Sequence, residues 1–121
     1  MKNKRKAENY LDRVPVIMRD LEWELKEGMV IIHQRNEGFY AKIAHRFFGA
    51  PETSYIRLDE FGSFVWQCID GESTVHVIGM RVKEQFGRDA EPLYERLSRF
   101  IETLKRVHYI EFVDIKKGKK V

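Results

Sequence analysis

At 121 residues and 43% hydrophobic content, with eight Phe, five Tyr and two Trp, the chain is sized for one domain, residues 1–121, whose core needs no disulfide or metal. A single cysteine, Cys68, cannot close an internal bridge. No apolar run approaches the ~18 residues of a membrane span, and none follows Lys2, Lys4, Arg5 and Lys6, so a cytoplasmic protein without a membrane partner is expected. The net charge of +3 is uneven: residues 1–6 and 116–121 hold four cations each, and with those eight set aside residues 7–115 stand at −5. An acidic body disfavours nucleic acid as a partner, because phosphate neutralisation supplies most duplex affinity.

In chain order, residues 1–9 read as a flexible basic arm. Tyr10–Ile17 holds Leu11, Val14, Val16 and Ile17 around Pro15, which removes a backbone donor, and reads as an irregular packed arm. Leu21, Trp23 and Leu25 alternate with Glu22, Glu24 and Lys26, the pattern of a half-buried strand. Glu27-Gly28 turns the chain into a returning strand, Met29–His33. Phe39-Tyr40, Ile43-Ala44 and Phe47-Phe48 recur every four residues between Gly38 and Gly49, which predicts a short helix with an aromatic face, ended by Pro51. Tyr55–Leu58 reads as a third short strand.

The second half reads as helical. Asp59 or Ser63 can cap a helix carrying Phe61, Phe64, Val65, Cys68 and Ile69, which stops at Asp70-Gly71. Ser73 is the expected cap of a second helix with the face Val75, Ile78, Val82 and Phe86, stopping at Gly87. A third starts with Pro92 in its first turn and carries Leu93, Leu97, Phe100, Ile101 and Leu104. Tyr109–Val113 is an alternating extended piece, and 116–121 is a basic tail. The expected class is α+β and winged-helix-like. A small antiparallel sheet, the hairpin plus a short third strand, packs on a three-helix bundle, with one extra inserted helix.

The residues suggest no catalysis. His33, His45, His76 and His108 lie far apart, and none has a second ligand at i+3 or i+4. Cys68 has no cation near it in sequence and reads as a buried small hydrophobe. The glycines are turns and caps, with no phosphate loop. No enzyme, cofactor or metal is expected.

One ordered set of residues is more telling. Leu58-Asp59-Glu60-Phe61-Gly62-Ser63-Phe64-Val65-Trp66 is followed by Ile69-Asp70-Gly71, Thr74-Val75, Phe86-Gly87, Phe100, Leu104 and Ile110. This set resembles the coenzyme PQQ synthesis protein D family, whose domain is also known as the RiPP recognition element. The resemblance covers residues 54–113 well and the hairpin 21–35 in outline.

It implies a peptide-binding adaptor that holds the leader of a ribosomally made precursor peptide for a radical S-adenosylmethionine enzyme or another maturase. In that mechanism the peptide adds as a strand to the edge Tyr55, Ile56, Arg57 and Leu58, and lies against a helix flank that includes Arg96, Phe100 and Thr103. Arg57, Arg96 and Arg99 would engage acidic leader side chains. Two departures, the helix inserted at 38–48 and the long N-terminal arm, point to a relative acting on a different peptide. Two other readings stand beside this one. The three-helix order and basic tails suit a winged-helix DNA-binding regulator, which Glu95 and Glu102 on its would-be recognition helix oppose. The aromatic inserted helix suits a structural subunit, or a homodimer or enzyme-docking surface.

Overall fold

The computed structural model describes residues 10–35, 39–49 and 53–113. The basic arm 1–9, Pro51, the tail 116–121 and the side chains of Phe39, Tyr40 and Ala41 lie outside that description. Among the described residues the class is α+β, with antiparallel strands and four α-helices of nine residues or more that follow the order of the sequence pattern. The chain divides into two compact units, Arg19–Ser63 and Met1–Met18 together with Phe64–Val121.

In the first unit, Glu27 (φ 52°) and Gly28 (φ 80°) form the two-residue turn joining β2 (Glu22–Lys26) to β3 (Met29–Arg35). Two successive positive φ values match the right-handed twist of a hairpin, and a side chain at position 28 would strain that turn. β4 (Thr53–Arg57) pairs antiparallel with the other side of β3, so the sheet order is β2-β3-β4. The tight turn makes Lys26 and Met29 the hydrogen-bonded closing pair. By alternation, Val30, Ile32 and Gln34 turn their backbone groups to β4, and Leu58 N–H donates to Val30 O at 2.9 Å in agreement.

The side chains divide with period two. Trp23, Leu25, Val30, Ile32 and Ile56 share one face. The other carries Glu22, Glu24, His33, Arg35, Tyr55 and Arg57. The alternation expected of β2 is therefore present, but half-burial is not: the whole strand is exposed, with Trp23 at 39% and Leu25 at 53%. Among the described residues, β3 is the one strand that pairs with β2, which stands at the end of the sheet.

α1 (Phe39–Phe48) forms as expected and ends at Gly49 (φ 70°). Phe47 and Phe48 are 69% and 82% exposed. Asp59, not Ser63, caps α2 (Glu60–Cys68): Gly62 N–H donates to Asp59 Oδ1 at 2.7 Å. Ser63 is buried and does other work. Its Oγ accepts from Val30 N–H at 2.8 Å and donates to Leu58 O at 3.2 Å. The hydroxyl thus bridges the two backbone groups that would otherwise close the β3–β4 ladder directly.

In the second unit, β1 (Val14–Ile17) pairs antiparallel with β5 (Ile110–Val113), where an irregular arm was expected. Met18 N–H donates to Tyr109 O at 3.0 Å, so the hydrogen-bonded pairs on β1 fall at even positions. Pro15, opposite Phe112, stands where no donor toward β5 is needed, and a strand tolerates it there. Tyr10 packs edge-on to Phe112 at 6.1 Å and donates to Ser98 O at 3.2 Å. Burial first, then the charge of Glu102, push its phenol well above the ordinary value.

Thr74, not Ser73, caps α3 (Val75–Phe86), accepting from Val77 N–H at 3.1 Å. Ser73 serves the preceding turn: Asp70 accepts from its backbone N–H (2.7 Å) and hydroxyl (3.0 Å), and from Glu72 N–H (2.9 Å). Gly71 (φ 79°) sits inside that turn. A Cβ there would meet Val16 Cγ2 at an ordinary 3.5 Å, so backbone conformation and not space demands glycine. After a 3-10 turn (Gly87–Ala90), Pro92 occupies the cap position and not the first turn of α4 (Leu93–Arg106). Glu91 Oε1 accepts from Leu93 N–H at 3.1 Å and serves that helix start. Val65, Trp66, Val75, Ile78, Val82, Leu97, Ile101 and Ile110 are fully buried.

The Asp70 turn carries a pH prediction. Hydrogen bonds from Glu72 and Ser73 N–H hold the Asp70 carboxyl below its ordinary value. A depressed pKa stabilises the fold above the unfolded-state value, and that contribution is lost as pH falls through the folded-state value. Asp70→Asn keeps the turn acceptor but cannot titrate. Its urea midpoint should therefore fall less than that of the parent protein below the ordinary carboxylate range, and coincident acid limbs would sink the assignment.

Candidate functional site

β4 follows β3 in the sheet, and among the described residues no strand pairs with its outer side. Alternation assigns roles within it. Ile56 and Leu58 turn their backbone groups inward to Ile32 and Val30, while Tyr55 and Arg57 turn theirs outward. Of the four expected edge residues, Tyr55 and Arg57 are thus the pair that can present N–H and C=O groups to an added strand. Leu58 lies one residue beyond the strand.

Side chains on the polar face reinforce this edge. Tyr55 is 67% exposed and leans edge-to-face on His33, with centroids 4.9 Å apart. His33 Nε2 is 2.6 Å from Glu24 Oε2, and Arg35 is 3.4 Å from Glu22. The result is a chain of contacts from β2 across β3 to Tyr55. Nothing in the linear pattern identified His33 or Ser63 as supports of the edge, because residues 22–35 and 53–63 meet only through strand pairing. Arg57 is exposed at the end of β4.

The helix flank belongs to the other unit. Arg96, Arg99, Phe100 and Thr103 share one side of α4, beside the buried stripe Leu93, Leu97, Ile101 and Leu104. Arg96 donates to Asp89 O at 2.8 Å, and Arg99 meets Glu95 at 2.9 Å in an exposed i,i+4 pair. Thr103 Oγ1 donates to Arg99 O at 2.8 Å, and Phe100 is half-buried. An exposed pair of the Arg99–Glu95 kind contributes under about 1 kcal/mol, so the arginine can exchange partners readily.

Cys68 is buried. Burial raises its thiol pKa, and Arg81, placed beside it by the fold though absent from its sequence neighbourhood, partly offsets that. A thiol held in its protonated form is a poor nucleophile. Among the described residues, no group of three His, Cys, Asp or Glu side chains could hold a metal, and no helix is long and apolar enough to cross a membrane.

The sequence model of the family described as coenzyme PQQ synthesis protein D (PqqD) matches residues 28–110, from the β2–β3 turn to the start of β5. No curated protein and no solved structure matches the chain.

Proposed function

The chain belongs to the coenzyme PQQ synthesis protein D family, and on that premise we propose that it is a non-catalytic cytoplasmic adaptor. It holds the leader of a ribosomally made precursor peptide for a modifying enzyme of the radical S-adenosylmethionine type. The observation that carries this reading is the outer edge of β4, where Tyr55 and Arg57 direct four backbone hydrogen-bonding groups away from the sheet. A leader segment adds there as a strand. Each backbone bond contributes about 0.5–1.5 kcal/mol net, independent of peptide sequence. Selection then falls to side chains: Tyr55, Ile56, Arg57 and Leu58 on the edge, with Arg96, Arg99, Phe100 and Thr103 on α4 supplying cations and one aromatic ring. The winged-helix-like arrangement belongs to the same reading, with β2-β3-β4 as its sheet and α2, α3 and α4 as its helices.

The test starts from a nuclease-treated native lysate. The protein is used as bait, and the short peptide it retains is identified by mass and then synthesised. Titrating that peptide into 15N-labelled protein should shift and protect the Tyr55 and Arg57 amides most. Arg57→Pro places proline where the N–H faces outward, so it should melt like the parent yet bind the peptide at least about tenfold more weakly. Equal binding by Arg57→Pro, or retention of transcription-related proteins that nuclease abolishes, would overturn the reading.

A further inference from the structure

We propose that the opposite edge of the same sheet is an interface between two copies of this chain, in which the β2 strands pair antiparallel about a two-fold axis. Two three-stranded sheets would then become one of six strands. The inference rests on β2 alone and leaves the β4 edge open, so it stands apart from the peptide-binding reading.

Backbone geometry sets the register. Glu22, Glu24 and Lys26 turn their backbone groups to β3, so positions 23 and 25 face outward. Two identical antiparallel strands form hydrogen-bonded pairs only where both present outward groups. Centring the axis on Glu24 satisfies this for Trp23 opposite Leu25 of the second copy, twice, and pairs all five residues of β2. Centring on Leu25 runs the partner into the Glu27-Gly28 turn, and centring on Trp23 runs it into the bend at Arg19-Asp20. Either shift leaves three paired residues.

Side-chain chemistry favours the same register. It sets Glu22 opposite Lys26 of the second copy, twice, and opposite charges directly across a strand pair stabilise it. On the other face it brings Trp23 and Leu25, 39% and 53% exposed, against their counterparts across the axis. An edge strand that exposes such residues is a template for strand pairing unless something blunts it. One juxtaposition opposes the pairing: Glu24 meets Glu24 of the second copy on the axis. Each Glu24 Oε2 lies 2.6 Å from Nε2 of its own His33, on the β3 side of the strand. The interface is small, so the dimer should be weak, with a dissociation constant on the order of 10–100 µM.

Sedimentation of the full chain from low micromolar to millimolar concentration tests this. A reversible monomer–dimer equilibrium is expected. Leu25→Pro removes an outward donor that β3 does not use, and should give a folded monomer with unchanged melting. Lys26→Glu should weaken association at least about tenfold by setting like charges opposite each other. The exchange Glu22→Lys with Lys26→Glu should restore it, because the pair is reversed and not removed. Should Leu25→Pro fail to fold, the charge exchange decides the matter by itself. A chain monomeric throughout, or association unchanged by Lys26→Glu, overturns the proposal. So does a dimer that Phe47→Ser with Phe48→Ser abolishes while Leu25→Pro leaves it intact, which would place the interface on α1.

Discussion

Ser63→Ala should destabilise the protein by about 2–4 kcal/mol, out of proportion to the single oxygen removed. The hydroxyl is the middle of a three-membered relay: Val30 N–H donates to it at 2.8 Å, and it donates to Leu58 O at 3.2 Å. Met29 Sδ, 3.8 Å away, is the weaker alternative acceptor. Val30 is fully buried and Ser63 is 1% exposed. Alanine would strand a buried donor and its acceptor, and each costs about 1–3 kcal/mol when left unmade. The space vacated by one oxygen is too small to admit a water in its place. Valine, which can neither donate nor accept a hydrogen bond and adds volume in a packed site, should do no better than alanine.

The same substitution should reach the outer edge of β4, where the proposed leader strand adds. Leu58 follows Arg57 directly, so loosening the Leu58 end of β4 unfixes one of the two residues whose backbone faces outward. The expected signature is a lowered urea midpoint, faster exchange of the Val30 amide, and weaker binding of any peptide that Arg57→Pro also discriminates against. A loss below about 0.5 kcal/mol would mean that the relay is not holding the ladder.

Most of the element order was legible because period and punctuation are local properties. The hairpin at Glu27-Gly28, the aromatic repeat of α1, the Asp59 cap and the stop at Gly87 each follow from residues within a few positions of one another. What was not legible depends on residues far apart. Pro15 argued against a strand until β5, almost a hundred residues later, supplied a register in which its missing donor is not needed. Ser63 looked like a capping residue because capping is what serine does locally, and its partner Val30 is reached only through the fold.

Two further misreadings have the same origin. Trp23 and Leu25 alternate as a buried strand does, yet alternation records which face a side chain takes and not whether anything covers it. Ser73 lost the cap of α3 to Thr74 because Asp70 had already engaged it. The sequence pattern suggested a short strand at 55–58, and β4 runs over Thr53–Arg57. Only the register separates Tyr55 and Arg57, which face out, from Ile56 and Leu58, which face in. A single residue of slip would exchange those roles.

Trp66→Ala should be the most damaging substitution in the second unit. Trp66 is the largest of the fully buried side chains and meets Tyr109 edge-on, with centroids 6.5 Å apart and rings at 82°. Truncating a buried tryptophan typically costs about 3–5 kcal/mol, through lost transfer energy and the cavity left behind. Set against a total stability of about 5–15 kcal/mol for a domain, that leaves a protein near the edge of unfolding. Far-UV circular dichroism in urea should show the midpoint collapse, while Trp23 stays as the lone indole reporter on the hairpin.

The contribution of the ring pair can be isolated from simple burial. Tyr109→Leu keeps an apolar side chain beside the indole and removes the ring, and Trp66→Leu does the reverse. A double-mutant cycle over these two changes should return a coupling of about 0.5–1.5 kcal/mol, the range for an edge-to-face aromatic pair. Burial alone pushes the Tyr109 phenol above its ordinary value, in keeping with a ring held inside the packing. A coupling near zero would reduce the Trp66 effect to volume. An overall loss under about 1 kcal/mol for Trp66→Ala would mean that Trp66 does not anchor the start of this unit against β5 and its preceding turn.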